Sequence, residues 1–415
     1  MKRIEYANTN DLKKSAGIDL SESVAAIIPI IQAVKQDGDN AVRRYNQQFD
    51  NVSLTSLEIT SKQSNAVPQG VKDALVKAAD NIQKYHEEQL PKEWQVEIGP
   101  GICAGELVRP LERVGCYVPG GKYPLVSSVL MTTIPAKVAG VEEIIVCTPK
   151  PTPEILLACE LAGVNAIFQV GGAQAIAAMA YGTESIPQVQ KIVGPGNKYV
   201  SAAKKFVYGD VDIDFIAGPS EVLVIADEGS NPEYIAADMI AQAEHDEDAR
   251  SIFVTPSKML ADQVEKAILE QLATLPTADV ARASLDQNGL IIIVKNLEEA
   301  FDVSNYLAPE HLELQLDDTS WLKHIKNAGA VFWGEYSVEA AGDYASGPNH
   351  VLPTSGVAAR RSGLCTRDFV KTPTIQQLTK EGLESISNAV QILARIEGLE
   401  GHARSVEIRG ICDEK

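Results

Sequence analysis

Three things are scarce in this sequence. Its six cysteines, Cys103, Cys116, Cys147, Cys159, Cys365 and Cys412, include no CxxC pair, which points away from a thiolate zinc site and from a disulfide framework. Cys116, in RVGCYVPGG, reads as a buried strand residue rather than as a thiol nucleophile for aldehyde oxidation. Basic clusters are missing too. The formal net charge is -19, and no window gathers the Lys and Arg that a polyanion requires, so nucleic acid is not an expected partner. No apolar run approaches the roughly 18 to 20 residues that cross a bilayer. The opening MKRIEYANTN also lacks the apolar core of a signal peptide, so a cytoplasmic protein with no membrane partner is expected.

What is present suffices for a large core. A chain of 415 residues, 45% of them hydrophobic, should hold two or three domains. VEEIIVCTP, NAIFQVGG, VQKIVGPG, EVLVIAD, RSIFVTP and GLIIIV are short and β-branched with little alternation, the pattern of parallel strands covered on both faces. Helical patterns such as TPEILLACELAG, KYVSAAKKFVYG and MLADQVEKAILEQLATL lie between them, so the fold class is α/β. The βα units fall into two blocks, about 114 to 224 and about 225 to 365, and the first hundred residues look mostly helical. Near the C-terminus, Thr379 can cap a helix on which Leu383, Ile386, Val390 and Leu393 form an apolar stripe. Such a small tail must pack on its own body or on a partner subunit.

Two strand ends, GGAQ (Gly171 to Gln174) and VGPGN (Val193 to Asn197), each precede a helix, where glycine lets backbone N–H groups approach an anion. GPGNKY lacks the third glycine of GxGxxG, so these residues alone leave nucleotide binding and plain tight turns both open.

In NPEYIAADMIAQAEHDEDARS, Asn231 and Pro232 form a helix start. Gln242 and His245 then share the buried stripe with Ile235 and Met239, near the helix C-terminus. Buried polar groups need partners, either hydrogen bonds inside a core or a metal ion. Of the six histidines, His86 and His324 lie among charged neighbours and read as surface residues. His245, His311, His350 and His402 lie beside glycine, proline or acidic residues at element ends, where sites form. With Gln242 and Asp343 they supply enough N and O donors for one zinc. LAPEHLEL sets Glu310 and His311 in apolar surroundings at the start of a buried strand.

RVGCYVPGGKYPLVSSVLMTTIPAKVAG, GGAQAIAAMAYGT, KIVGPGNKYV, DFIAGPSEVLVIAD, MIAQAEHD, LAPEHLEL, GDYASGPNHVLPT and IEGLEGHARSVEIR together resemble the histidinol dehydrogenases, over essentially the whole chain. The resemblance implies a zinc-dependent enzyme that oxidises L-histidinol to L-histidine through the aldehyde while reducing two NAD. It implies zinc on Gln242, His245, Asp343 and His402, and a catalytic pair, Glu310 and His311. Substrate contacts are implied at Ser220, Gln242, His245, His311, Asp343, Glu397 and His402, and NAD contacts at Tyr117, Gln174 and Asn197. It further implies a homodimer whose tail reaches the partner's active site. The expected layout is an N-terminal arm (1–24), a Rossmann-like domain with the zinc and catalytic residues (25–113 with 225–365), a Rossmann-like domain with the NAD contacts (114–224), both incomplete, and a helical tail (366–415).

His311, with an unperturbed pKa near 6.5, suits proton removal from the alcohol, and Glu310 beside it suits activation of water against the aldehyde. The broken glycine fingerprint leads us to expect weak NAD affinity. Two other classes are compatible with the residues: a zinc hydrolase using Glu310 as general base, and a noncatalytic α/β metabolite-binding protein.

Overall fold

The computed structural model describes residues 1–8, 12, 20–60, 66–120, 124–216 and 218–409; Cys412 lies outside them. The chain divides into two compact units, Met1–Gln89 with Glu112–Phe369, and Leu90–Leu111 with Val370–Lys415.

The first unit contains two parallel sheets. One has six strands, in the order Lys2–Glu5, Leu290–Ile293, Arg250–Thr255, Glu221–Ala226, His311–Gln315, Ala330–Trp333. Its β-branched runs are buried on both faces. Val222, Val224 and Phe253 meet the helices Pro232–Ala243 and Lys258–Leu272 on one side, while Leu223, Ile225 and Leu312 meet Leu297–Leu307 on the other. Each such side chain contributes roughly 1.5–3 kcal/mol when fully buried, which is why these strands read so plainly in the sequence. The edge strand Lys2–Glu5 carries no apolar run; it is held by its parallel pairing with Leu290–Ile293.

The other sheet has five strands, ordered Ala166–Phe168, Glu143–Cys147, Arg113–Tyr117, Lys191–Val193, Asp212–Ile213. The helices Ser21–Asp37 and Asp39–Asp50, expected to join the block that begins at 225, instead share this sheet's core. The stripe Ile27, Ile31 and Val34 packs with Ile176, Val200 and Ala203. Its partner helix Gly172–Tyr181, GAQAIAAMAY, is made largely of small residues that admit a close neighbour.

The second unit carries an antiparallel sheet, Thr374–Leu378, Ile102–Glu106, Trp94–Gly99, and the helices Lys380–Ile396 and Glu400–Glu407. Thr379 caps the first helix, its hydroxyl accepting from Gly382 N–H at 3.1 Å. Leu383, Ile386 and Val390 are half-buried, whereas Leu393 and Ile396 stand exposed.

The cysteines among the described residues are all free. Cys116 is fully buried, and burial pushes its thiol up to about 12. His86 corrects the surface reading: it is 0% exposed. It falls on the stripe Leu75, Ala78 and Ile82 of helix Gln69–Glu87, donates from Nδ1 to Gln89 Oε1 (2.8 Å), and accepts at Nε2 from Asn349 (3.3 Å). His324 is half-buried against Phe301 and Trp321. Among the described residues no helix is long and apolar enough to cross a membrane.

Candidate active site

A cavity of about 360 Å³ opens between the two sheets of the first unit, within the range of small-molecule sites. Glu310 and His311 reach it from the amino end of the strand His311–Gln315, and Ser220 from just before the strand Glu221–Ala226. Pro119 and Gly194 to Gly196 reach it from the carboxyl ends of the strands Arg113–Tyr117 and Lys191–Val193. Ligands of open α/β sheets usually lie at carboxyl ends. Here the two sheets present opposite ends to one space.

The backbone explains how Glu310 and His311 get there. The helix Leu297–Leu307 stops at Ala308, which adopts left-handed φ 52° and turns the chain into Pro309 and the strand. Gly329 packs so closely that a Cβ would lie 2.6 Å from the Glu310 carbonyl oxygen. Both site residues are 4% exposed.

His311 Nδ1 lies 3.1 Å from the Glu221 carbonyl oxygen, so it is the donating nitrogen. Its Nε2 is buried without a partner. Burial lowers the ring to about 4, leaving it neutral and able to accept at Nε2. Glu310 Oε2 accepts from the Glu221 backbone N–H at 2.9 Å. Burial pushes this carboxyl well above its usual range, and the Glu221 N–H only partly offsets that.

The helix Pro232–Ala243 begins at the Asn231 cap and returns its C-terminus toward the amino edge of the six-stranded sheet, bringing Gln242 and His245 with it. Gln242 is 0% exposed, and neither its oxygen nor its nitrogen has a partner. His245 Nε2 lies 3.5 Å from Asp343 Oδ2, and that carboxylate's approach raises the ring's pKa. Asp343 Oδ1 lies 3.9 Å from His311 Nε2, and the Asp343 carbonyl accepts from His350 Nδ1 at 2.8 Å.

The sequence reading missed two acids. Glu221 heads an otherwise apolar strand, and its carboxylate accepts from Ser355 N–H at 3.0 Å. Glu339 stands four residues before Asp343 on one helix face, and its Oε1 is 3.4 Å from His311 Nδ1. An acid within an apolar strand and an i, i+4 acid pair were both visible in the sequence. One donor atom each of His245, Glu339 and Asp343 lies within 4.8 Å of the others. This N and O set, beside an amide whose two polar atoms are both orphaned, fits a divalent cation such as zinc.

The remaining expected residues lie elsewhere. Tyr117 and Gln174 each adjoin Gly172, outside the cavity lining: Tyr117 Oη accepts from Gly172 N–H (3.1 Å), and Gln174 donates to Asn46 Oδ1 (3.3 Å) while its own oxygen is orphaned. Asn197 is exposed and caps the helix Lys198–Val207, accepting from Tyr199 and Val200. Glu397 and His402 are exposed on the second unit, at the end of one helix and within the next.

A family model described as histidinol dehydrogenase matches residues 13–410. The histidinol dehydrogenase of Methanothermobacter thermautotrophicus is 48% identical over 98% of this chain and 97% of its own length. That of Aquifex aeolicus is 46% identical over 98% and 96%. A crystal structure of histidinol dehydrogenase from Elizabethkingia anophelis superposes with a TM-score of 0.94 at 38% identity, covering 99% of this chain and 98% of the other.

Proposed function

Because this chain belongs to the histidinol dehydrogenase family, NAD-dependent oxidoreductases acting on the alcohol histidinol, we propose that it converts L-histidinol to L-histidine through L-histidinal, reducing two NAD with one zinc ion per subunit. Gln242, His245 and Asp343 would hold the metal together with His402 from the second unit. Zinc, when bound, would serve as a template for the substrate's amine and imidazole nitrogens. Ser220, His311 and Glu397, with the four metal-holding side chains, would contact the substrate. Tyr117, Gln174 and Asn197 would contact NAD. The working form is a cytoplasmic homodimer in which the tail of one subunit completes the site of the other.

The chemistry assigned to the chain's own groups balances in two halves. In the first, His311 Nε2 takes the hydroxyl proton as the carbinol carbon gives hydride to NAD, leaving aldehyde and NADH. In the second, Glu310 takes a proton from water as its oxygen adds to the aldehyde carbon. The hydrate's carbon then gives a hydride to a second NAD while its remaining hydroxyl proton leaves through His311 Nε2, giving the carboxylate. Confinement in a cavity excludes competing water and orients the reactants, an effect worth up to about 7–11 kcal/mol in model systems.

The observation that carries this reading is the environment of His311: Nδ1 fixed on a backbone carbonyl and 3.8 Å from Glu310 Oε2, with Nε2 buried and unpartnered. The test is an assay of purified protein with zinc, NAD and L-histidinol. The expected result is two NADH per histidine, abolished by a strong chelator and restored by zinc. One NADH with aldehyde release, or metal-dependent hydrolysis without NAD, would overturn it.

A further inference from the structure

Two pairs of adjacent cations lie far apart in the sequence: Lys204 with Lys205 near the end of the helix Lys198–Val207, and Arg360 with Arg361 just after the turn Val357–Ala359. Neither is a basic cluster by itself, but the fold brings them to one place. In each pair one member is spent on Asp214: Lys204 pairs with its carboxylate, and Arg361 Nη1 donates to its carbonyl. The other two, Lys205 and Arg360, are exposed, and among the described residues their side chains have no hydrogen-bond or ion-pair partner.

Lys205, Arg360 and Arg361 line a second cavity of about 330 Å³, which shares Phe215 and Gly218 with the catalytic one. Much of its wall is apolar: Ile213 and Phe215 are buried, Ile216 and Val357 half-buried. Among the described residues no carboxylate lines it, in a chain whose net charge is -19. Like charges gathered over an apolar wall repel one another, and the low-dielectric wall concentrates their field. An anion relieves both effects.

The chemistry of the lining narrows which anion. The planar fork of arginine matches paired phosphate or carboxylate oxygens. Three cations suit a dianion better than a monocarboxylate, and the apolar wall calls for an apolar body. The volume lies at the small end of ligand sites. We propose that this cavity binds a small phosphate monoester with an apolar body, its phosphoryl oxygens held by Arg360 and Lys205 with Arg361 beside them, and its body lying on Ile213, Phe215 and Val357. The site is distinct from that of the proposed reaction, since none of the three cations lines the catalytic cavity.

Isothermal titration of the full chain with phenyl phosphate tests this without any turnover. Phenyl phosphate should bind saturably at one site per chain. Arg360→Gln and Lys205→Gln, both at exposed positions, should together weaken it by about tenfold or more while leaving the circular dichroism of the parent. Arg360→Lys, which keeps the charge but loses the fork, should fall between the two. Inorganic phosphate should bind more weakly than phenyl phosphate. Absence of saturable binding at millimolar phenyl phosphate overturns the proposal. So does parental affinity in the folded double variant, which would put the anion elsewhere, such as at the glycine turn of the catalytic cavity. If the double variant does not fold, Arg360→Gln alone is read by the same criterion. Equal affinity for inorganic and phenyl phosphate overturns the role given to the apolar wall.

Discussion

His311 and Glu310 are neighbours in the chain, buried to the same degree, and burial drives them in opposite directions. It holds the imidazole neutral down to about 4 and pushes the carboxyl well above 4.5. A base works only when deprotonated. As pH falls, Glu310 therefore becomes protonated first, while His311 keeps its free Nε2 to lower pH. The aldehyde half-reaction should lose rate at a higher pH than the alcohol half, in stopped-flow measurements started from L-histidinal and from L-histidinol. A common midpoint would refute the division of labour. By the same logic, Glu310→Gln should slow the aldehyde half by about 10²–10⁴-fold and spare much of the first hydride transfer, whereas His311→Asn should slow the first by a similar factor. Product analysis in single turnover reads both, and equal losses in the two halves would count against the assignment. These two residues were legible because titratable groups inside LAPEHLEL have no structural reason to be there. Gln242 and His245 were legible from their place on an apolar helical stripe. Glu221 and Glu339 left a trace, an acid in an apolar strand and one of an i, i+4 pair, but their approach to His311 did not, since it joins segments far apart in the chain. His86 misled because three charged neighbours, Lys84, Glu87 and Glu88, conceal its position on a buried face.

At the scale of elements, the turn after the strand Lys191–Val193 is held by a buried ion pair. Lys204 and Asp214 bond to each other, with side chains 4% and 1% exposed. Lys204 Nζ donates to the Gly194 carbonyl at 3.0 Å, and Asp214 Oδ2 accepts from the Gly194 N–H at 2.8 Å. The peptide groups on both sides of Gly194 are thereby fixed. Gly194 itself has φ 115°, and a Cβ there would lie 2.2 Å from the Tyr117 carbonyl oxygen, so no other residue suits the turn. Lys204→Met would strand a buried carboxylate and should cost about 3–5 kcal/mol in urea unfolding. Pairing it with Asp214→Leu should recover most of that stability while leaving NAD binding weaker, because the turn at Gly194 is no longer gripped. A loss below about 1 kcal/mol for the single change would show that the pair does not carry the turn. The strands and helices of both parallel sheets were readable because covered β-branched runs have few alternatives. The strands Lys2–Glu5, Trp94–Gly99 and Thr374–Leu378 were not, for they are mostly exposed and depend on pairing with partners distant in sequence.

On the scale of the whole molecule, Glu397 and His402 belong to a different compact unit from His245, Glu310 and Asp343. The helix bearing the tail's apolar stripe leaves Leu393 and Ile396 exposed at 61% and 76% within its own chain. A partner subunit would cover such a face and deliver His402. Chains inactivated by His402→Ala and by His311→Ala, mixed under conditions that exchange subunits, should then recover part of the activity, since each mixed dimer keeps one intact site. Absence of recovery after exchange has been verified by mass spectrometry would argue that each chain completes its own site.

The opposed edges of the two sheets around the cavity have a bearing on how such a protein can be altered. The wall that bears Glu310 and His311 and the wall that bears Gly194 to Gly196 come from separately packed scaffolds, each with its own interior, so residues on one wall can drift without disturbing those on the other.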